Sequence, residues 1–265
     1  MAREGEAARE GEAARERTLG AAPEIISGAA GPVRTMALMA VAAVIFDWGG
    51  TLTPWHAIDH QELWRDVCAP HFPAAHTTAI AAAIVSAEDT FWRQCETAHR
   101  SATLDHVFAR AGVTPHDALM DSYFRVWEPH TYTDPEAAPL LRELRRRGIK
   151  VGVLSNTMWP RALHERVFDR DEVLALIDGA VYSSEIPWTK PHPEAFRAAM
   201  AAVGVTDPAS CVFVGDRPYD DIFGAKGLGM RAVLVPNAAV PGCDAVVPDA
   251  VITRLSDLLP HLDNW

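Results

Sequence analysis

The chain has 265 residues, 49% of them hydrophobic, and a formal net charge of −11. That much apolar material can build an α/β domain with an inserted module and argues against global disorder. The acidic balance disfavours nonspecific nucleic-acid binding, since a phosphate backbone wants a basic surface. It leaves room for a local positive site that takes a small phosphorylated ligand.

Residues 1–38 read as a tail. Arg3-Glu4-Gly5-Glu6-Ala7-Ala8 recurs as Arg9-Glu10-Gly11-Glu12-Ala13-Ala14, a mixed-charge, low-complexity pattern with no apolar face to bury, so disorder is expected. Met36 and Met39 stand just before the first strand and raise the hypothesis of a later translation start. Peptides from residues 3–15 in the native protein would sink it.

The apolar run through Phe46 predicts a buried strand over 41–47. Between Pro54 and about Thr133 the periodicity turns helical and strand signal almost vanishes. This stretch predicts an inserted helical cap over 54–133. Leu140, Leu141 and Leu144 share one face of a predicted helix at 136–147 that stops at Gly148. A strand from Ile149 to Leu154 follows, then a helix near 160–169 and a short strand around Ala180 to Tyr182. Pro193 opens a helix at 193–203, as a first-turn proline can. Cys211 to Val214 is a strand ending at Gly215-Asp216, and a helix is predicted at 219–228. Arg231 to Val235 is a further strand, Val251-Ile252 an edge strand, and a short helix ends the chain. Strands alternating with helices imply an α/β core at 39–53 and 134–265. Its expected form is a doubly wound parallel sheet with the site at the carboxyl ends of the strands.

Cys68, Cys95, Cys211 and Cys243 are widely spaced with no CxxC, which fits neither a disulfide framework nor a zinc ribbon. No run of about 18 strongly apolar residues predicts a membrane span. The first residues lack a basic region followed by an apolar stretch, so a cytoplasmic protein is expected.

Four places in the core concentrate chemistry. Asp47 leaves the first strand into Trp48-Gly49-Gly50-Thr51, where a carboxylate can serve as nucleophile, as metal ligand or simply as a turn cap. Ser155 ends the second strand in Ser155-Asn156-Thr157. Its hydroxyl, with free backbone N–H groups after it, can bind a phosphoryl oxygen or cap the next helix. Lys190 sits in Thr189-Lys190-Pro191-His192-Pro193, one of three lysines in the chain, and reads as a charge-neutralising ammonium or a solvated loop residue. Asp216, Asp220 and Asp221 put three carboxylates within six residues. Such crowding calls for a cation, with oxygen ligands suiting Mg²⁺, or decorates a helix N-terminus.

Together, in this order and each at a strand end, the four motifs resemble the haloacid dehalogenase superfamily over roughly residues 41–253. The resemblance implies that Asp47 attacks phosphorus and forms an aspartyl-phosphate, with Ser155 and Lys190 holding the phosphate. It implies Mg²⁺ held by Asp47, the Gly49 carbonyl, Asp216 and Asp221. Trp48, Gly50, Asn156 and His56 are expected on the substrate side.

The first motif departs from the family at one place. The phosphatase form carries a second aspartate as general acid/base where this chain has Gly49. Glycine keeps the backbone carbonyl and removes the acid, a loss that typically costs about 10²–10⁴-fold and least where the leaving group needs no proton. Asp-Trp-Gly-Gly-Thr is close to the Asp-Trp-Ala-Gly-Thr of phosphonoacetaldehyde hydrolases, but those need a cap lysine for a Schiff base, and no lysine lies between Pro54 and Thr133. Dehalogenases need no metal and have little reason to keep Asp216 and Asp221. The resemblance thus implies a specialised Mg²⁺-dependent phosphatase of a small phosphorylated metabolite. The rival is a noncatalytic relative that binds a phosphate ligand in the same pocket.

Eight of the eleven histidines fall in the cap segment. His56, near the hinge, is the candidate replacement acid, because histidine titrates in the useful range. His56 and His60 at i,i+4 on a helix would also suit a metal, though no third ligand is evident. Trp48, Trp159 and Trp188 each adjoin a motif and Trp55 begins the cap, which predicts an aromatic wall if those loops converge.

Overall fold

The computed structural model describes residues 40–240, 242 and 246–265. The predicted tail at 1–38, with Met36, as well as Met39 and Cys243, lies outside the described residues. Six strands form one sheet: β1 (Ala43–Phe46), β2 (Lys150–Ser155), β3 (Gly179–Tyr182), β4 (Cys211–Gly215), β5 (Arg231–Leu234) and β6 (Ala250–Val251). Their order is β3-β2-β1-β4-β5-β6, and every pairing is parallel.

β1 lies at the centre because it is apolar on both faces, as an internal parallel strand must be. Its side chains alternate between two cores. Val44 and Phe46 join the cluster of Leu140, Leu141 and Leu144 from α5 (Ala137–Arg146). Ala43 and Ile45 join that of Phe196 and Met200 from α7 (Pro193–Ala202). The strand is shorter than the expected 41–47. Both neighbours enter register only opposite Ala43, at Lys150 and Cys211, so the ladder begins there.

The chain reverses direction across the sheet at β1. The ends of β1, β2 and β4 therefore border one crevice, where an open α/β sheet binds its ligand.

Between β1 and α5 the described residues contain four α-helices and no strand. They are α1 (His60–Cys68), α2 (Ala74–Ala98), α3 (Leu104–Ala111) and α4 (Asp117–Trp127). Local caps set their starts. The Asp59 side chain accepts from the Glu62 N–H, Thr103 and His106 form a reciprocal box, and the His116 ring accepts from the Leu119 N–H. The helices share an apolar core in which Trp64 stacks on Tyr123 with ring centres 4.7 Å apart and meets Phe108 edge-on. Burying each such ring stabilises by about 1.5–3 kcal/mol. Trp159 and Met158, from the loop after β2, pack into the same cluster, so cap and core are continuous there.

Two expectations shift. The helix predicted at 219–228 is a π-helical turn, Pro218–Phe223, followed by a short α8 (Gly224–Leu228). Its mark is the Ile222 N–H donating to the Arg217 carbonyl at 3.4 Å. Such turns recur at functional sites because they re-aim a side chain. His56 does not share a helical face with His60 either, since α1 begins only at His60, after the Asp59 cap. The remaining helices are α6 (Arg161–Arg170) and α9 (Leu258–Leu262), and no described helix is long and apolar enough to cross a membrane.

Candidate active site

Asp47 leaves β1 with its N–H donating to the Val214 carbonyl at 2.9 Å, which ties it to the end of β4. The next residues turn tightly: Thr53 N–H donates to the Trp48 carbonyl at 2.9 Å and Gly50 N–H to the Thr53 carbonyl at 2.7 Å. Gly50 has φ +87°, and a Cβ there would collide with the Asp216 carboxylate. Only glycine satisfies both the left-handed backbone and the close approach. Gly49 is the opposite case. A Cβ there meets no heavy atom within 4 Å, and its φ lies outside the left-handed region. The missing side chain is therefore not a steric requirement of the turn.

Asp47, Asp216 and Asp221 are all buried, and one carboxylate oxygen from each lies within 4.8 Å of the others. Lys190 reaches them from the loop between β3 and α7. Its Nζ donates to Asp47 Oδ1 at 2.7 Å and to Asp221 Oδ1 at 2.6 Å. Burial alone would lower the Lys190 pKa, but the Asp221 and Asp47 charges outweigh it and hold the ammonium well above its ordinary range. Asp221 Oδ2 accepts the Arg217 N–H at 2.8 Å. Asp216 Oδ2 accepts from Asn237 Nδ2 at 2.8 Å, whereas its buried Oδ1 has no partner. Burial first, then the Asp47 charge, pushes Asp216 up to about 6. Burial, only partly offset by Lys190, pushes Asp221 up to about 7.

With all three carboxylates ionised, one ammonium leaves two negative charges uncompensated. Arg217 and Asp220, 3.8 Å apart, do not change that balance. The deficit, the all-oxygen donor set and the orphaned Asp216 Oδ1 fit a divalent hard cation such as Mg²⁺. Asp47, Asp216, Asp221 and the Gly49 carbonyl are the groups available to hold it.

A cavity of about 410 Å³ opens above this cluster and is lined by Asp47, Gly49, Gly50, Ser155, Asn156 and Lys190 among others. The Ser155 hydroxyl makes no hydrogen bond with any described residue, so it is available to a ligand. The free N–H groups expected after it are partly taken: Thr157 N–H donates to Ser183 Oγ and Trp159 N–H to Thr157 Oγ1. Asn156 also touches the cavity, but both ends of its amide engage the Lys190 backbone. Nδ2 donates to the Lys190 carbonyl at 3.0 Å and Oδ1 accepts the Lys190 N–H at 2.8 Å. That arrangement positions the lysine.

The aromatic wall exists, with one member exchanged. Trp48 and Trp159 line the cavity 5.3 Å apart between ring centres, and Trp55 joins them from the cap. Trp188 does not. It stacks on His192 at 3.9 Å and lies under the Arg100 guanidinium at 4.6 Å, strapping the loop between α2 and α3 to the Lys190 loop. The Thr189 N–H donating to the His99 carbonyl reinforces that strap. Trp92 and Trp127 take the place of Trp188 in the wall. They sit inside helical sequence far from any motif, so nothing in their spacing singles them out. Asn237 also escapes a motif reading, although its place just past β5 puts it at a strand end. His56 lines the cavity with its ring 5.5 Å from that of His130.

The family model for haloacid dehalogenase-like hydrolases matches residues 41–229. A Mycobacterium tuberculosis protein named Phosphatase MT3486 is 38% identical over 133 residues, covering 49% of this chain and 56% of that protein. A Thermus thermophilus phosphoserine phosphatase is 34% identical over 166 residues, covering 60% of this chain and 62% of that one. The matches thus span less than two thirds of either relative. Among solved structures, a 2-haloacid dehalogenase from Pseudomonas syringae superposes with a TM-score of 0.58 at 25% identity, over 85% of this chain and 99% of that one. The central parallel sheet, the motifs at the ends of β1, β2 and β4 and in the loop after β3, and the matched 41–229 stretch make this chain a member of the haloacid dehalogenase-like hydrolase family.

Proposed function

We propose that the protein is a Mg²⁺-dependent phosphatase of a small phosphorylated metabolite, working through an aspartyl-phosphate on Asp47. The observation that carries this reading is the buried cluster of Asp47, Asp216 and Asp221 around Lys190. Lys190 fixes Asp47 by its Oδ1, and no described residue donates to Oδ2, which is the oxygen left to attack phosphorus. As the Oδ2–P bond forms, the bond from phosphorus to the ester oxygen breaks and its electron pair leaves with that oxygen, as a phenolate or, for an alcohol, with a proton taken from water or His56. Water then hydrolyses the acyl phosphate, releasing inorganic phosphate and regenerating Asp47. Lys190 and the Ser155 hydroxyl are placed to hold phosphoryl oxygens, and Asn156 keeps the lysine in position. Mg²⁺, when bound, supplies the positive charge that lets a carboxylate approach a dianionic phosphate.

Gly49 carries no acid for the leaving oxygen. Good leaving groups need none, so aryl and acyl phosphates are the expected substrates. For poorer ones, His56 is the cavity-lining group in position to be tested as the proton donor. The cap helices over the strand ends limit water at the reacting atoms. The experiment is Mg²⁺-dependent phosphate release across aryl, acyl and sugar phosphates. Turnover confined to good leaving groups, and abolished in Asp47→Asn, is the expected result. Silence across the panel would remove the phosphatase reading. Gly49 keeps one alternative in play, a noncatalytic relative that binds a phosphate ligand, and that silence would favour it. A dehalogenase reading is weaker, because its chemistry has no use for the buried Asp216 carboxylate.

A further inference from the structure

Phosphate chemistry accounts for the floor of the cavity and leaves its cap half unexplained. There the wall is built from Trp55, Trp92, Trp127 and Tyr123 of the cap, with Trp48 and Trp159 facing them. These rings support one another: Trp159 Nε1 donates to the Tyr123 hydroxyl at 2.7 Å, and Trp127 meets Trp159 edge-on at 5.4 Å. Flat apolar guests fit between such faces, and tryptophan faces also attract cations.

The charges of the cap half have one sign, histidines aside. Glu88 and Glu96 line it, and no lysine or arginine of the cap does. The two cations that line the cavity belong to its floor. Lys190 is held by Asp47 and Asp221, and Arg217 lies beside Asp220. Glu88 is buried, and its Oε2 accepts from Trp64 Nε1 at 2.9 Å and pairs with His60 Nδ1 at 3.4 Å. Among the described residues nothing donates to its Oε1. The hydrogen bond to Glu88 holds the His60 imidazole above its ordinary range against the opposing pull of burial, so this spot favours positive charge. No ion pair among the described residues engages Glu96.

We infer that the organic part of the substrate is an aromatic or similarly flat group bearing a cationic amine and no second anion. The amine would lie against Glu88 and Glu96, with the ring between the tryptophans and the phosphate at Lys190. A carboxylate or second phosphate in the same place would meet two acids and no lysine or arginine, the His60 ring being already paired with Glu88. This specificity rests on the phosphatase reading for the phosphate end, whereas the cation site stands on the cap residues alone.

The test uses three phenyl phosphates that differ only in the para substituent: 2-aminoethyl, propyl and 2-carboxyethyl. The three parent phenols serve as binding probes, read by quenching of the cavity tryptophans in the full-length protein. Both affinity for the phenols and kcat/KM for the phosphates are expected to fall from amine to alkyl to carboxylate. The ends of the series should differ by about tenfold or more. Equal binding of the three phenols, or tightest binding of the carboxylate, would overturn the inference whatever the turnover. The expected binding order without turnover of any phosphate would support the cation site and remove the phosphatase reading, so the two failures are distinct.

Glu88→Gln should bring the amine-to-alkyl ratio towards one, and an unchanged ratio would overturn the assignment. Because Glu88 also braces Trp64, the exposed Glu96→Gln provides a second variant. It should lower the same ratio severalfold, and no change in either variant would exclude a carboxylate-lined cation site.

Discussion

At the floor of the cavity three carboxylates crowd one ammonium, and every group is fixed by a neighbour on another loop. Across the same cavity the cap wall holds three tryptophans, Trp55 and Trp92 of them exposed, with two acids and no lysine or arginine of its own. The floor is buried, charged and preorganised, the arrangement that stabilises charge developing at a reacting atom. The wall is aromatic and semi-open, the arrangement that binds a ligand without changing its reactivity. On the proposed reading, chemistry and selectivity fall to different parts of the chain, the strand ends for one and the inserted helices for the other. Substitutions should separate them, with floor changes moving kcat or stability and wall changes moving KM.

Asp47→Asn should show the largest effect. Removing the nucleophile while keeping the side-chain shape is expected to lower kcat on the order of 10⁴-fold or more. Substantial residual turnover would move the chemistry off this residue. Lys190→Met comes next. It leaves Asp47, Asp216 and Asp221 buried with no compensating charge, and breaking a buried pair from one side costs about 3–5 kcal/mol. Urea denaturation should show that loss, with a larger Mg²⁺-dependent recovery than in the parent. Undiminished stability at about pH 8, above both raised carboxylate pKa values, would mean that water already solvates the cluster.

The two regions should also titrate in opposite directions. In the cation-free protein, Asp216 and Asp221 hold protons that the unfolded chain has released above its ordinary carboxylate pKa of 3.8. Their contribution is whole below that pH and is lost as pH rises through about 6 and 7. Behind the wall, burial and then the Arg161 charge hold His164 at about 3. The unfolded imidazole binds a proton below 6.5 and the folded one does not. That contribution is present above 6.5 and lost as pH falls towards 3. Each protonation difference changes stability by at most about 1.4 kcal/mol per pH unit. The windows overlap with opposite slopes, so saturating Mg²⁺ should remove only the falling component and His164→Gln only the rising one, each seen as a difference from the untreated parent. A change of the same sign from both would contradict the separation.

Gly49→Asp sharpens the comparison from the floor side. Open space around a Cβ at 49 and a backbone outside the left-handed region admit the side chain. If the glycine removes only a proton donor, restoring a carboxyl should raise turnover of sugar phosphates by about 10²-fold while aryl phosphates change little. An equal effect on both classes would mean that the turn itself had shifted.

The floor was more legible in the sequence than the wall, for physical reasons. Asp47, Ser155 and Asp216 sit at strand ends, where a buried apolar run stops at a polar residue and the parallel rhythm dictates which ends converge. Lys190 stood out because lysine is rare in this chain. The wall depends on how four helices pack, and helical periodicity marks a buried face without saying which ring turns towards a cavity. Trp92 and Trp127 therefore give no signal, while the motif beside Trp188 points that ring wrongly to the wall. The π turn at Pro218–Phe223 reads as ordinary helix for a similar cause. Its irregularity serves Asp221, whose carboxylate must meet both Lys190 and the Arg217 N–H.

Trp92 supplies the smallest and most discriminating change. It lines the cavity from α2 yet is 36% exposed, so Trp92→Ala removes an aromatic face without opening a void in the cap core. An aromatic contact of this kind contributes about 0.5–1.5 kcal/mol, which corresponds to a two- to tenfold rise in KM. If the ring touches the body of the ligand and not the reacting phosphate, ground state and transition state should lose it equally, and kcat should hold. A fall in kcat at constant KM would show that the wall takes part in the chemical step, for instance by closing the cap over the floor. The division between the two regions would then be one of sequence and not of mechanism.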